Sequence, residues 1–221
     1  MQSSALLPQF PGTHAAPSAC LIEAAALQCV RNDSILFSDL SFALAPGEVL
    51  QVSGPNGSGK TSLLRILCGL GLPEQGEVRW RGIEIRSIHA EFLGQVHYIG
   101  HNDGISLDLT CSENLEFARS LADAPGRPVA AILEKTGLRD CAGLPARRLS
   151  TGQRRRLALA RLLLVPAELW LLDEPFTALD PGARALVNEL IGGHVSTGGA
   201  AIVASHEPIE PGRHPVRQMV L

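Results

Sequence analysis

The segment Gly54–Thr61 constrains the fold more than any other part of this 221-residue sequence. It reads Gly-Pro-Asn-Gly-Ser-Gly-Lys-Thr and fits G-x-x-x-x-G-K-[ST], a pattern typical of a loop that encloses phosphate. Its three glycines let the backbone curl with N–H groups directed inward at an anion. A short β-type run at Val49–Val52 precedes it and a helical pattern at Thr61–Cys68 follows. We therefore expect a strand, a phosphate-binding loop and a helix in that order.

The same segment carries groups that a nucleoside triphosphate needs. Lys60 can bring its ammonium to the β and γ phosphates, and Thr61 can offer its hydroxyl to Mg²⁺. A helix that starts at Lys60 also directs the positive end of its dipole at the anion. We expect the nucleotide to be bound by the whole loop and the start of the helix, namely Gly54, Pro55, Asn56, Gly57, Ser58, Gly59, Lys60, Thr61 and Ser62.

A second motif supplies two carboxylates after an apolar run. Leu169–Leu172 predicts a buried strand, and Asp173 and Glu174 follow at its carboxyl end. Ligands of open α/β sheets bind at that edge. We expect Asp173 to hold Mg²⁺, directly or through water, and Glu174 to orient or deprotonate an attacking water. Together the two motifs predict a nucleoside triphosphatase.

The remaining pattern predicts an α/β fold. Residues 21–53 are typical of strands, and 78–85 of one more hairpin. Two helical patterns occupy residues 103 to about 148, and a capping box of Thr110 and Glu113 begins the first of them. Helix and strand then alternate, with helices predicted at 150–165 and 182–191 and strands at 169–172 and 200–204. Such alternation predicts a parallel sheet covered on both faces.

Composition excludes several classes of protein. The 19 basic and 22 acidic residues give a net charge of −3 and no electrostatic case for nucleic-acid binding. The most apolar stretch, 157–172, is interrupted by Arg161, Pro166 and Glu168, so we expect no membrane-spanning segment. Five cysteines without a CxxC pair predict reduced thiols, with neither a disulfide framework nor a zinc site. Residues 1–19 contain no Lys or Arg and hold three Pro and one Gly, which favours a flexible leader over a secretory signal.

Three further motifs carry a family resemblance. Leu149-Ser150-Thr151-Gly152-Gln153 resembles the LSGGQ signature of ABC transporter ATPases. Asp180 matches the D-loop of that family, and His206, after the last core strand, matches its switch histidine. The resemblance covers nearly everything from about residue 21 onward.

This resemblance implies a complete set of roles. The fold would be that of a P-loop NTPase of the ABC ATPase type, with a parallel core sheet, an N-terminal antiparallel β subdomain and an inserted helical subdomain at about 103–165, all in one domain at 20–221. The cofactors would be ATP and Mg²⁺, with His206 contacting the γ-phosphate as a catalytic residue beside Glu174. Two subunits would form a head-to-tail homodimer, in which Ser150, Thr151, Gly152 and Gln153 contact the ATP of the other subunit.

The signature also has a physical logic of its own. Ser150 and Gln153 predict a second capping box, and the free N–H groups of the helix that it begins form another anion site. A helix cap alone does not explain the glycine at position 152.

The sequence departs from the family pattern at three places. Thr151 replaces a glycine of the signature. No aromatic residue lies near positions 31–34 to stack on adenine, where Arg31 could stack its guanidinium instead. His101 stands where the family has the glutamine of its Q-loop, so an amide ligand for Mg²⁺ would have to come from Asn102.

These departures point to one branch of the family. Tyr98-Ile99-Gly100-His101 and the segment 172–180 are similar to the ATP-binding subunits of bacterial cytochrome c maturation systems, often called haem exporters. The branch implies integral membrane permease partners of the CcmB-like type, bound near residues 99–120, and a peripheral position at the cytoplasmic face of the inner membrane. ATP would power haem export or the release of haem from a carrier. Haem would concern this chain only indirectly, since it has no Cys-Pro or CxxCH motif.

Three alternatives stay open at this point. The chain could serve another ABC exporter with a different substrate, or act as a soluble ABC-type ATPase outside transport. A small-molecule kinase with a phosphate-binding loop is the third, but it leaves residues 150–153 without a function.

Overall fold

The structure, a computed structural model, describes residues 20–121 and 126–221. The predicted leader at 1–19 lies outside these residues. In the described parts the chain forms β1 (Ile22–Arg31), β2 (Ser34–Leu44), β3 (Val49–Ser53), α1 (Lys60–Leu67), β4 (Gln75–Trp80), β5 (Ile83–Glu84), α2 (His89–Leu93), β6 (Val96–Ile99), α3 (Cys111–Ser120), α4 (Val129–Lys135), α5 (Thr151–Ala160), β7 (Leu169–Asp173), α6 (Pro181–Ser196), β8 (Ala200–Ala204) and β9 (Val216–Val220).

Two sheets organise these elements. The first has five strands in the order β6-β7-β8-β3-β9, and every neighbouring pair in it is parallel. The second has the order β2-β1-β4-β5 and is antiparallel. The parallel arrangement brings the carboxyl ends of β3, β6, β7 and β8 to one edge, where the loops that follow them meet.

The parallel sheet is covered on both faces, as the alternation of helices and strands predicts. Along β7, Leu169 and Leu171 pack into one core cluster with α1, whereas Trp170 and Leu172 pack into a second cluster with α6. All five residues of β7 are buried. A strand covered on both faces needs no polar alternation, which is why its sequence is a continuous apolar run.

A third core cluster belongs to the helices between the strands. Leu115 of α3, Leu133 of α4 and Leu157 of α5 are buried together in it. The capping box predicted at the start of α3 is confirmed, because the Thr110 hydroxyl accepts from the Glu113 N–H at 3.1 Å and the Glu113 carboxylate accepts from the Thr110 N–H at 2.8 Å.

Two helix bounds differ from the prediction. The helix predicted at 150–165 ends at Ala160 and continues as a 3₁₀ turn, Arg161–Leu163. The helix predicted at 182–191 runs on to Ser196 because Gly192 does not terminate it. A Cβ at that glycine would lie 2.9 Å from the Pro211 carbonyl oxygen, so the residue serves a close packing contact.

Candidate functional site

The phosphate-binding loop connects β3 to α1, as predicted. Gly54, Gly57 and Gly59 have φ values of 144°, 86° and 104°, which side-chain-bearing residues rarely adopt. A Cβ at Gly54 would lie 2.6 Å from the Leu221 carbonyl oxygen. Gly59 is the N-cap of α1, and no side chain caps the helix. The first N–H groups of α1 therefore point toward any anion that the loop encloses.

The Lys60 side chain folds back over this loop. Its Nζ donates to the carbonyl oxygens of Gly54 at 2.8 Å and Pro55 at 3.2 Å, and the residue is only 8% exposed. The same ammonium lies 3.2 Å from Nε2 of His206. The positive charge is thus fixed at the mouth of the loop.

The two sequence motifs meet at the carboxyl edge of the sheet. The Thr61 hydroxyl donates to Oδ2 of Asp173 at 2.7 Å, although the residues are 112 positions apart. Asp173 is 1% exposed. A hydroxyl and a carboxylate are hard oxygen ligands of the kind Mg²⁺ prefers, so this donor set fits the ion that the sequence predicts.

Glu174 and His206 lie beside this pair. The Glu174 carboxylate is 3.5 Å from Nε2 of His206, and that nitrogen is 3.1 Å from Oδ1 of Asn56. Glu174 has φ 48°, in the left-handed region, and its N–H donates to the Ala204 carbonyl at 2.9 Å. A strained backbone at a functional carboxylate fixes its direction at a cost of about 1–3 kcal/mol.

A cavity of about 580 Å³ joins these groups. Its wall includes Lys60, Thr61, Asp173, Glu174 and His206 together with Asn56, Gly57, Gly59 and Ser62 of the predicted nucleotide-binding set. This volume suits a ligand larger than a phosphate ion.

Residues at the positions where the sequence departs from the family pattern also line the cavity. Arg31 lies in its wall with Leu36, and within the described ranges no Phe, Tyr or Trp does. His101 lies in the wall as well, whereas Asn102 is exposed and does not line it. His101, rather than the predicted Asn102, therefore lines the cavity together with Asp173 and Glu174. Thr177 and Leu36 are wall residues that the sequence did not indicate.

The signature segment lies outside this cavity. The capping box forms, since the Ser150 hydroxyl accepts from the Gln153 N–H at 3.1 Å and Oε1 of Gln153 accepts from the Ser150 N–H at 2.8 Å. None of Ser150, Thr151, Gly152 and Gln153 lines the cavity.

Gly152 also has a packing role within its own chain, in addition to the nucleotide contact that the resemblance implies. A Cβ there would lie 2.9 Å from the carbonyl oxygen of Ala178, so the start of α5 packs directly against the loop after β7. Asp180 ends that loop as the N-cap of α6, where its Oδ1 accepts from the Ala183 N–H at 2.8 Å.

Arg155 was missed by the sequence analysis because it lies in a run of three arginines. It is 4% exposed and donates to the carbonyl oxygens of Gly100, Asp173 and Glu174 at 2.9, 2.6 and 3.0 Å. No local pattern distinguishes it from the partly exposed Arg154 and Arg156.

Comparisons with known proteins bear on the fold and the family. The sequence model of the family described as ABC transporter matches residues 37–177. The cytochrome c biogenesis ATP-binding export protein CcmA of Methylococcus capsulatus is 47% identical over 186 residues, 83% of this chain and 90% of that protein. The protein of the same name from Nitrosococcus oceani is 51% identical over 179 residues, 81% of this chain and 82% of that protein.

A solved structure described as the ATP binding subunit of an ABC transporter matches with a TM-score of 0.79 at 22% identity, over 91% of this chain and 85% of that one. This likeness confirms the predicted fold class. Among the described residues, no helix is both long and apolar enough to cross a lipid bilayer.

Proposed function

The chain belongs to the ABC transporter family, among the cytochrome c biogenesis ATP-binding export proteins, and we propose that it hydrolyses ATP to power haem export or the release of haem from a carrier. The observation that carries this proposal is the hydrogen bond between Thr61 and Asp173. It joins the phosphate-binding loop to the carboxylates after β7, with Glu174 and His206 next to them.

The loop and α1 bind the triphosphate. The N–H groups at the start of α1 and the Lys60 ammonium supply positive charge to the β and γ phosphates. Lys60 must then exchange its contacts with the Gly54 and Pro55 carbonyls for phosphate oxygens. Arg31, in the cavity wall, offers a flat guanidinium on which the base can stack.

Thr61 and Asp173 would hold Mg²⁺, and His101, which lines the same cavity, would contribute in place of the family's glutamine. When bound, the ion neutralises the charge that develops on the β and γ oxygens.

Glu174 acts on the attacking water. Its carboxylate faces the cavity and accepts a hydrogen bond from the water, which orients the oxygen for attack on the γ-phosphate. His206 approaches the same place from the end of β8. Its Nε2, which lies 3.1 Å from Oδ1 of Asn56, exchanges that contact for the γ-phosphate.

A second copy of the chain completes the site. The free N–H groups at the start of α5, with Ser150, contact the nucleotide held by the partner, and the partner's signature does the same in return. One domain at 20–221, with its helical part at about 103–165, supplies both surfaces. Loss of the γ-phosphate removes the bridge, so the dimer opens.

The opening performs work on membrane partners. The relatives are named as export proteins in cytochrome c biogenesis. We infer that this chain sits peripherally at the cytoplasmic face of the inner membrane, on permease subunits of the CcmB-like type that contact residues 99–120. Haem concerns this chain only indirectly, through those partners.

The variant Glu174→Gln tests the catalytic assignment. It keeps the shape of the side chain but removes the charge, so we expect ATP hydrolysis to fall by at least about a hundredfold, while binding of a fluorescent ATP analogue is retained. Glu207→Gln is the matched control, because Glu207 pairs with Arg184 outside the cavity. Hydrolysis at the wild-type rate by Glu174→Gln would remove Glu174 from the mechanism.

The same variant tests the dimer. With ATP held but not hydrolysed, Glu174→Gln should elute as a dimer in size-exclusion chromatography, and the double variant Glu174→Gln/Ser150→Arg should bind ATP as a monomer. Dimers of equal stability in both proteins would show that Ser150 does not reach the partner's nucleotide.

A further inference from the structure

Arg155 is a buried cation with an unusual set of partners. It lies on α5, two residues after Gln153, and its guanidinium reaches the ends of two neighbouring strands. Nη1 donates to the Gly100 carbonyl after β6 at 2.9 Å, and Nη2 donates to the carbonyls of Asp173 and Glu174 at 2.6 and 3.0 Å. Asp103 is 3.3 Å away and balances the charge.

Burial of this group needs an explanation, because removing a guanidinium from water is costly unless its donors are used. Within the described residues Nε of Arg155 has no hydrogen-bond partner, so the site is not optimised for stability alone. Two of the four donor contacts go to the backbone carbonyls of Asp173 and Glu174, and the other two go to Gly100 and Asp103, which lie on either side of His101.

Glu174 depends on such support. Its φ of 48° is unfavourable for a residue with a side chain, and such conformations persist only where surrounding contacts hold them. Three hydrogen bonds hold this residue: its N–H donates to the Ala204 carbonyl, and its own carbonyl accepts from Arg155 and from the Thr177 N–H at 3.3 Å. One comes from the sheet, one from α5 and one from the turn that follows Glu174.

Helix α5 also contacts the loop four residues after Glu174. At the start of α5, Gly152 approaches the Ala178 carbonyl, and Ala178 also has a left-handed φ, of 61°. Helix α5 therefore contacts both ends of the segment 173–178. A shift of this helix would move the backbone of Glu174 with it.

We propose that Arg155 is a positioning residue that couples the signature helix to the catalytic carboxylate. A nucleotide that contacts residues 150–153 fixes the position of α5, and Arg155 transmits this position to the Asp173–Glu174 backbone and so aims the carboxylate at the water. Arg155 itself touches neither nucleotide nor water. The inference rests on the proposed function and adds the residue by which one half of the site controls the other.

The proposed coupling predicts which property of the enzyme is impaired when Arg155 is replaced. The contacts that bind the triphosphate come from the loop and α1, which Arg155 does not touch, so nucleotide affinity should change little. A misdirected carboxylate lowers the rate of the chemical step instead, and a displacement near 1 Å is worth roughly tenfold to a hundredfold. The effect should therefore appear in kcat.

The test uses the purified full chain with two substitutions and a control. Arg155→Gln removes the charge and the bidentate fork, and Arg155→Lys keeps the charge with fewer directed donors. Arg156→Gln is the control one position along, since Arg156 contacts the carbonyls of Thr136 and Gly137 in the helical part. For each protein kcat, KM, the Kd of a fluorescent ATP analogue and Tm are measured.

We expect Arg155→Gln to lose roughly tenfold or more in kcat with Kd unchanged within about twofold, Arg155→Lys to recover part of the loss, and Arg156→Gln to match the wild type. The inference is overturned if Arg155→Gln retains the wild-type kcat, if Kd rises in parallel with the loss, or if both variants fail to fold. If only Arg155→Gln fails to fold, Arg155→Lys decides by the same criteria. A wild-type chain without ATPase activity would instead refute the proposed function.

Discussion

His194 should make the stability of this protein fall in weak acid. Its imidazole stacks on Trp170 with ring centres 4.0 Å apart and planes 3° from parallel, and Nε2 lies 3.1 Å from the Ala200 carbonyl. Burial, opposed in part by that hydrogen bond, lowers the pKa of His194 from 6.5 to about 4. Burial also lowers the pKa of His97, whose strand position pairs with Trp170.

The direction of this pH effect on stability follows from proton binding. Above pH 6.5 the imidazole is neutral in both the folded and the unfolded chain, so the stability contribution is fully present. Below that pH the unfolded chain takes up a proton that the folded chain does not accept until about pH 4, and stability is lost as the pH falls. The shift corresponds to about 3 kcal/mol in total, of which about 2 kcal/mol is lost between pH 7 and pH 5.

Urea unfolding followed by circular dichroism at pH 7, 6 and 5 measures this loss. His194→Gln should be less stable than the wild type at pH 7, because the ring stack is gone, but its free energy of unfolding should fall by about 2 kcal/mol less between pH 7 and pH 5. His89→Gln removes an exposed imidazole and is the control, for which the free energy of unfolding should fall with pH as it does for the wild type. Parallel curves for His194→Gln and the wild type would refute the reasoning.

Two further substitutions probe local geometry. Gly152→Ala places a Cβ 2.9 Å from the Ala178 carbonyl oxygen and should lower the free energy of unfolding by about 1–3 kcal/mol, together with the ATPase rate; unchanged urea midpoints would contradict the close approach. Thr110→Ala removes the hydroxyl that caps α3 and should cost about 1 kcal/mol in the same assay, whereas Thr110→Ser should cost little, and equal losses in both would contradict the capping role.

The sequence predicts those features that depend on local order along the chain. The apolar run at 169–172, the capping boxes at residues 110 and 150 and the glycine-rich loop each act over a few residues, and all of them form as predicted. The edge strand β9 was not predicted. Polar Arg217 and Gln218 interrupt its pattern, and its hydrogen bonds come from β3, more than 160 residues earlier in the chain.

Features that depend on contact between distant segments could not be predicted. The close approach of Gly152 to Ala178 gives that glycine a packing role, which one sequence cannot distinguish from a role in nucleotide contact. The presence of His101 in the cavity wall depends in the same way on how β6 pairs with β7.

The direction of the Glu174 carboxylate is the feature of the site least determined by its own sequence. Parallel pairing of β7 with β8 places Asp173 and Glu174 at the correct edge, yet a glutamate does not adopt a left-handed backbone by preference. The conformation is held from outside, by the Ala204 carbonyl and the Arg155 guanidinium. Because one of these holders lies on the signature helix, the geometry of the carboxylate depends on a surface that lies outside its own cavity. Under the proposed function, such a site binds nucleotide through one set of contacts and controls hydrolysis through another, as a motor that must wait for its partner subunit requires.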